Sequence, residues 1–224
     1  MLHFFSPTYI ISVLIAIAVH ECAHAWSARR LGDHTAEQAG RLTLNPLSHI
    51  DPLGALMFLF VGFGWAKPVP VNPLHFRFPK RDMALTAFAG PISNLLLAFL
   101  VFLGIALIGG ASPASIGGLL SDAESASPAL TILLQILRDS LFVNLALMAF
   151  NLFPVSPLDG SSVLRMFIPL RYEERYDDFV RIGPFVLLGL ILLENFLPVR
   201  ILSTWVFGIM QAVLSGFAAV IPFS

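Results

Sequence analysis

The chain has 224 residues, 57% of them hydrophobic and 12% charged, with a mean hydropathy of +0.82. A soluble domain carries about 25% charged residues and cannot hide this much apolar surface at this size. The composition therefore excludes an ordinary soluble protein and requires a bilayer as part of the solvent. The formal net charge of −1 gives no support to a nucleic-acid partner, and the single cysteine, Cys22, excludes an intrachain disulfide.

The first residues lack a basic stretch, and the apolar run after them leads into charged residues with no small-x-small cleavage site. The first helix is therefore expected to be retained. It covers 8–28, long enough to cross the hydrocarbon core, and carries His20, Glu21 and His24 in its last third. Residues 29–51 are polar and include Arg29, Arg30 and Arg41. The apolar 52–66 segment has 15 residues, three of them glycine, which suits a re-entrant element better than a span. Pro68, Pro70 and Pro73 then predict an extended stretch over 67–73. A second clear span covers 83–110, followed by an acidic 111–128 linker with Asp122 and Glu124. A third covers 129–153, interrupted by Arg138 and Asp139. Residues 160–181 are charged, and 183–197 and 201–221 are further apolar segments.

This pattern predicts an all-α integral membrane protein with about five to six transmembrane helices and a short re-entrant or extended element near 52–73. No linker is long enough for a separate soluble domain. The expectation is one membrane-embedded unit over 1–224, with a catalytic core at about 8–165 and C-terminal helices at about 183–221. Basic loops favour the cytoplasmic side. That places 29–51, 67–81 and 160–181 inside, and the N-terminus and the acidic linker outside.

His20 and His24 are four residues apart, so both imidazoles lie on one helix face and can offer nitrogens to a single zinc. Glu21 follows His20 and can reach a water at that metal without being a ligand, which is the mechanical content of H-E-x-x-H. Two histidines and a glutamate inside an apolar span are costly and by default functional. Helix-packing histidines are the bland alternative. Cys22 is turned about 200° from His20 and reads as packing. A catalytic zinc takes three protein ligands and keeps one position open. Candidates for the third are Asp159, His49, His75, Glu194 and Asp139. Topology favours Asp159: it follows a span running in the same sense as the first, so it lies at the same depth as the histidines. Pro154 and Pro157 break the helix before it. The competing reading of Asp159 is an N-cap.

His20-Glu21-Cys22-Ala23-His24, together with the segment Asn151-Leu152-Phe153-Pro154-Val155-Ser156-Pro157-Leu158-Asp159-Gly160, resembles the site-2 protease family of intramembrane metalloproteases. Asn45-Pro46, His49-Ile50-Asp51-Pro52, the run from Gly64 to Asn72, and Ala89-Gly90-Pro91-Ile92-Ser93-Asn94 are similar to its short bacterial members. The resemblance spans about 10–165, and no PDZ insertion fits the 111–128 linker. It implies one zinc per chain with Asp159 as third ligand, and an active site toward the cytoplasmic side of the cell membrane. The substrates it implies are single-pass membrane proteins already trimmed, or signal-peptide remnants.

In such a site a water's pKa falls toward about 7. Glu21 takes its proton and later delivers it to the leaving amine. Asn94 is the candidate oxyanion or substrate-backbone donor, with interhelical hydrogen bonding as the equal alternative; Asn151 is a weaker candidate of the same kind. An unwound substrate needs an edge to lie on, and Trp65 to Asn72 or Arg41 to Leu44 can offer one. Two rivals remain. A zinc transporter needs a second His/Asp-bearing helix, yet no histidine follows His75. A non-catalytic relative that binds membrane proteins has no need of Glu21.

Overall fold

In a computed structural model of the chain, residues 6–61, 64–109, 127–196 and 200–220 are described. The acidic linker expected between the second and third spans lies outside the described residues apart from its last two positions. Eight α-helices follow in order among the described residues: α1 (Pro7–Arg30), α2 (Thr35–Gln38), α3 (Pro52–Val61), α4 (Pro79–Gly109), α5 (Pro128–Asn151), α6 (Asp159–Arg165), α7 (Glu173–Phe196) and α8 (Ile201–Val220). The one β-feature among them is an isolated antiparallel bridge between Ile50 and Ala66.

The all-α membrane architecture is the one expected. Four described helices are long and apolar enough to cross a membrane: α1, α4, α5 and α8. Of the apolar 183–197 segment, residues 183–196 form the second half of α7, whose first half carries Glu173, Glu174, Asp177 and Asp178. Within 52–66, residues 52–61 form the short helix α3 and residues 64–66 begin an extended stretch. Glycine makes the two parts close: a Cβ on Gly54 would lie 2.1 Å from the Trp65 carbonyl oxygen, and one on Gly64 would lie 2.2 Å from that of Gly54.

α1, α4 and α5 pack on one another, and α6 lies against α4. Ala98, Phe102 and Ile105 of α4 meet Leu145 and Met148 of α5 and Met210 of α8 in a buried cluster. Burying such side chains keeps the three helices in register; in lipid this works through close packing more than through the expulsion of water. A second cluster seats the turn before α6: Phe153, Val155 and Leu158 against Leu187 of α7 and Leu202 of α8. A Cβ on Gly160 would fall 2.3 Å from the Leu152 carbonyl oxygen, so the turn can fold back on the end of α5 only with glycine there. This turn sets where Asp159 points.

Candidate metal centre

α1 brings His20 and His24 to the buried seam with α4. Their rings stand edge to face, 4.6 Å between centroids. Each ring uses Nδ1 to reach α4. His20 Nδ1 lies 2.6 Å from Asn94 Oδ1, and His24 Nδ1 lies 2.7 Å from the Thr86 carbonyl oxygen. Both partners can only accept, so both imidazoles carry a proton on Nδ1, and in the neutral ring that leaves the Nε2 lone pair free. The two Nε2 atoms point at Asp159 Oδ2, at 3.2 and 3.4 Å. That oxygen is buried and has no hydrogen-bond partner among the described residues.

Three lone-pair donors from two distant parts of the chain thus converge, all within 4.8 Å of one another. With both rings neutral, the two Nε2 atoms and the carboxylate oxygen have no proton to share, so a cation between them satisfies all three. A nitrogen–nitrogen–oxygen set of this kind suits zinc. Gly90 completes the fit. A Cβ there would lie 2.5 Å from His24 Nε2 and 2.6 Å from His20 Nε2, so glycine alone leaves the space beside the ligand atoms open. The residues present fit the metal.

Asn94 is fully buried, and both ends of its amide are engaged. Besides accepting from His20, it donates to the Ala16 carbonyl at 3.2 Å and to Asn144 Oδ1 at 2.8 Å. Asn144 in turn donates to the Ser140 carbonyl. The structure therefore ties α1, α4 and α5 together through Asn94, directly behind His20. Asn151 donates back to the Leu147 carbonyl of its own helix at 3.0 Å, and no described contact brings it to the histidines. Glu21 lies half-buried outside the three convergent ligands.

The other candidates for third ligand are used elsewhere. His49 and His75 have both ring nitrogens occupied. Glu194 accepts from the first N–H groups of α8, and Asp139 accepts from the Thr8 hydroxyl at the far end of α1. Sequence reading passed over Asn144, although a polar side chain in an apolar span is the signal that singled out Asn94. Gly90 lies within the Ala89–Asn94 run, but nothing in that run signals a place beside the histidines. The Thr86 carbonyl leaves no side-chain signal at all.

A cavity of about 450 Å³ runs along α1 up to Ile17, one turn before the motif, and none of His20, Glu21, His24 and Asp159 lines it. Leu14 and Ile17, in the turns of α1 preceding Glu21, form one wall; Phe58 and Trp65 form a second, and Leu147 and Phe150 of α5 a third. An apolar space bordered by the motif helix and an extended segment can take an apolar chain.

The family model described as Peptidase family M50 matches residues 8–193. A Bacillus subtilis (strain 168) protein named "Putative zinc metalloprotease YwhC" is 39% identical over 163 residues, 73% of this chain and 70% of its own length. "Putative zinc metalloprotease Rip2" of Mycolicibacterium smegmatis is 36% identical over 93 residues, 39% of this chain and 36% of that protein. Rip2 of Mycobacterium tuberculosis (strain ATCC 25618 / H37Rv) is 28% identical over 156 residues, 67% of this chain and 53% of that protein. No solved structure matches the chain.

Proposed function

The chain belongs to peptidase family M50, the site-2 protease family, and from that premise we propose that it is a zinc-dependent intramembrane endopeptidase. One observation carries the reading: His20 Nε2 and His24 Nε2, from a helix that can cross a membrane, converge with Asp159 Oδ2 of the short helix α6, all within 4.8 Å. These three residues would hold one zinc. When bound, zinc supplies Lewis acidity that makes a water acidic near neutral pH and polarises a scissile carbonyl.

The chain's own residues supply the rest. The Glu21 carboxylate accepts the proton of the attacking water and returns it to the nitrogen of the leaving amine. Asn94 holds the His20 ring by its Nδ1–H, which fixes the tautomer and aims Nε2. The Thr86 carbonyl does the same for His24. With its amide N–H groups already committed, Asn94 serves better as this anchor than as an oxyanion donor. Membrane-spanning segments and signal-peptide remnants are the substrate class that suits a buried site near an apolar cavity. The arginines closing α1, Arg29 and Arg30, favour the cytoplasmic side of the cell membrane for that end of the helix. A zinc transporter needs a second group of ligands along a path, and among the described residues only one such group occurs.

The test compares wild type with Glu21→Gln in membranes. Zinc content is expected to stay at one per chain, while cleavage of a membrane-spanning substrate falls by roughly 10²–10⁴-fold. A Glu21→Gln protein that still cleaves at the wild-type rate overturns the assignment.

A further inference from the structure

Two buried charged side chains fasten the extended 64–72 stretch, and the same device delivers both. α1 ends with Gly32 at φ +107°, where the Asp33 N–H reaches back to the Ala28 carbonyl at 2.9 Å. α2 ends with Gly40 at φ +67°, where the Arg41 N–H reaches back to the Ala36 carbonyl at 2.9 Å. Both are glycine-terminated helix ends, and in each the residue after the glycine is turned inward. Asp33 accepts the Asn72 N–H at 2.7 Å. Arg41 donates to the Lys67 carbonyl and, at 3.3 Å, to the Pro68 carbonyl.

Arg41 is 5% exposed, and no carboxylate pairs with it among the described residues. Its Nε has no hydrogen-bond partner. Burying a guanidinium against neutral carbonyls is an expensive way to hold a loop. Its other contact is His49 Nδ1, at 3.3 Å. Arginine only donates, so His49 Nδ1 accepts and the ring is neutral, with its proton on Nε2 given to the Thr43 carbonyl at 2.8 Å. The His49 carbonyl takes the Lys67 N–H at 2.8 Å, beside the Ile50–Ala66 bridge. Lys67 is therefore gripped at its N–H by His49 and at its carbonyl by Arg41. Gly64, Trp65 and Ala66, immediately before it, line the cavity together with Ile17.

We infer that Arg41, braced by His49, is a positioning residue for peptide cleavage, holding the 64–68 backbone in register with the metal centre so that an unwound substrate segment can lie against it. The inference rests on the endopeptidase reading. A forked donor on two successive carbonyls fixes a backbone in a way that a lysine cannot.

The experiment uses the full chain in liposomes with a membrane-spanning substrate, comparing wild type, Arg41→Met and Arg41→Lys. For Arg41→Met, zinc per chain is expected to be unchanged and KM to rise roughly ten-fold, the scale of one or two lost charge-assisted hydrogen bonds. Arg41→Lys is expected to fall between the two. A role confined to folding would lower zinc or kcat per chain and leave KM alone; either result overturns the inference. If Arg41→Met does not accumulate, His49→Leu removes the brace and keeps the guanidinium, and its KM must rise in the same direction or the inference fails. Wild type that cuts nothing overturns the endopeptidase reading and this inference together. Wild type that cuts, beside an Arg41→Met protein with the same KM, overturns only the inference.

Discussion

Two polar networks share this molecule, one buried in the helix bundle and one, partly exposed, in the loops beyond α1. In the bundle, His20, His24, Asn94 and Asn144 pair across helices. In the loops, Asp33, Arg41, His49, Asn72 and His75 pair mainly with backbone. Both contain two histidines and an aspartate, yet they differ in what is left over. In the loops each imidazole has both nitrogens engaged: His75 donates from Nδ1 to Asp33 at 2.8 Å and accepts from Asn72 at Nε2, while His49 stands between Arg41 and Thr43. In the bundle each imidazole has one nitrogen engaged, and the free ones face an unpartnered carboxylate oxygen. Residue type does not make a metal site; convergent lone pairs without protons do. The loop network spends its polar groups on shape, and the bundle network keeps three in reserve.

The sharpest way to break that contrast is to fill the reserved space. Gly90→Ala puts a methyl 2.5 Å from His24 Nε2 and 2.6 Å from His20 Nε2. The backbones of α1 and α4 cannot separate without losing the contacts of Asn94, so the rings must turn. Zinc affinity, measured by competition with a chelator, is expected to fall at least 10–100-fold. Gly104→Ala on the same helix is the control. Nothing lies within 4 Å of its Cβ, so zinc binding should not change and the helix gains up to about 1 kcal/mol. Equal zinc binding in both variants would mean that the three atoms do not form the site.

Much of the bundle network was legible in the sequence, because helical spacing fixes His20 against His24 and because charged residues in apolar spans stand out. The preference for Asp159 over His49, His75, Glu194 and Asp139 rests on topology and on the family resemblance. What separates these residues is whether their lone pairs are already taken, and those partners lie far off in sequence: Asp33 for His75, Arg41 for His49 and the start of α8 for Glu194. Asn94 was singled out as polar in an apolar span, but its partner His20 lies 74 residues away. Element bounds slipped where charge and helix coincide. α4 begins at Pro79, four residues before the apolar run, since Asp82 accepts the Phe78 N–H and closes the first turn. α7 starts at Glu173 and runs through Pro184, so the apolar 183–197 segment shows only part of that helix.

A smaller effect sharpens the contrast from inside the bundle. Asn94→Leu removes the acceptor of His20 Nδ1–H and the donor to Asn144. Zinc affinity is expected to fall about 10–100-fold, since a ligand deprived of its outer partner loses its preferred tautomer and aim. Asn144→Leu acts one bond further away and should cost less. If the Asn144 variant loses more zinc than the Asn94 variant, the ring is held by something other than Asn94.

The smallest effect belongs to the loops and should leave zinc alone. Burial pushes the Asp33 carboxyl up. Hydrogen bonds from the Thr35 hydroxyl, the Asn72 N–H, the His75 ring and the Thr35 N–H outweigh that and hold it at about 2, below its ordinary 3.8. A carboxyl held low in the folded state contributes stability that is present above the unfolded value and lost as pH falls through the folded one. The Asp33 contribution should therefore be intact above pH 4 and disappear between about pH 4 and pH 2. Asp33→Asn removes the charge these donors stabilise and flattens that window. At neutral pH it should speed hydrogen exchange at the Asn72 amide while zinc per chain stays at the wild-type value. If Asp33→Asn instead releases zinc at neutral pH, the two networks are coupled, and the loops do more than hold the shape of the segment beside the centre.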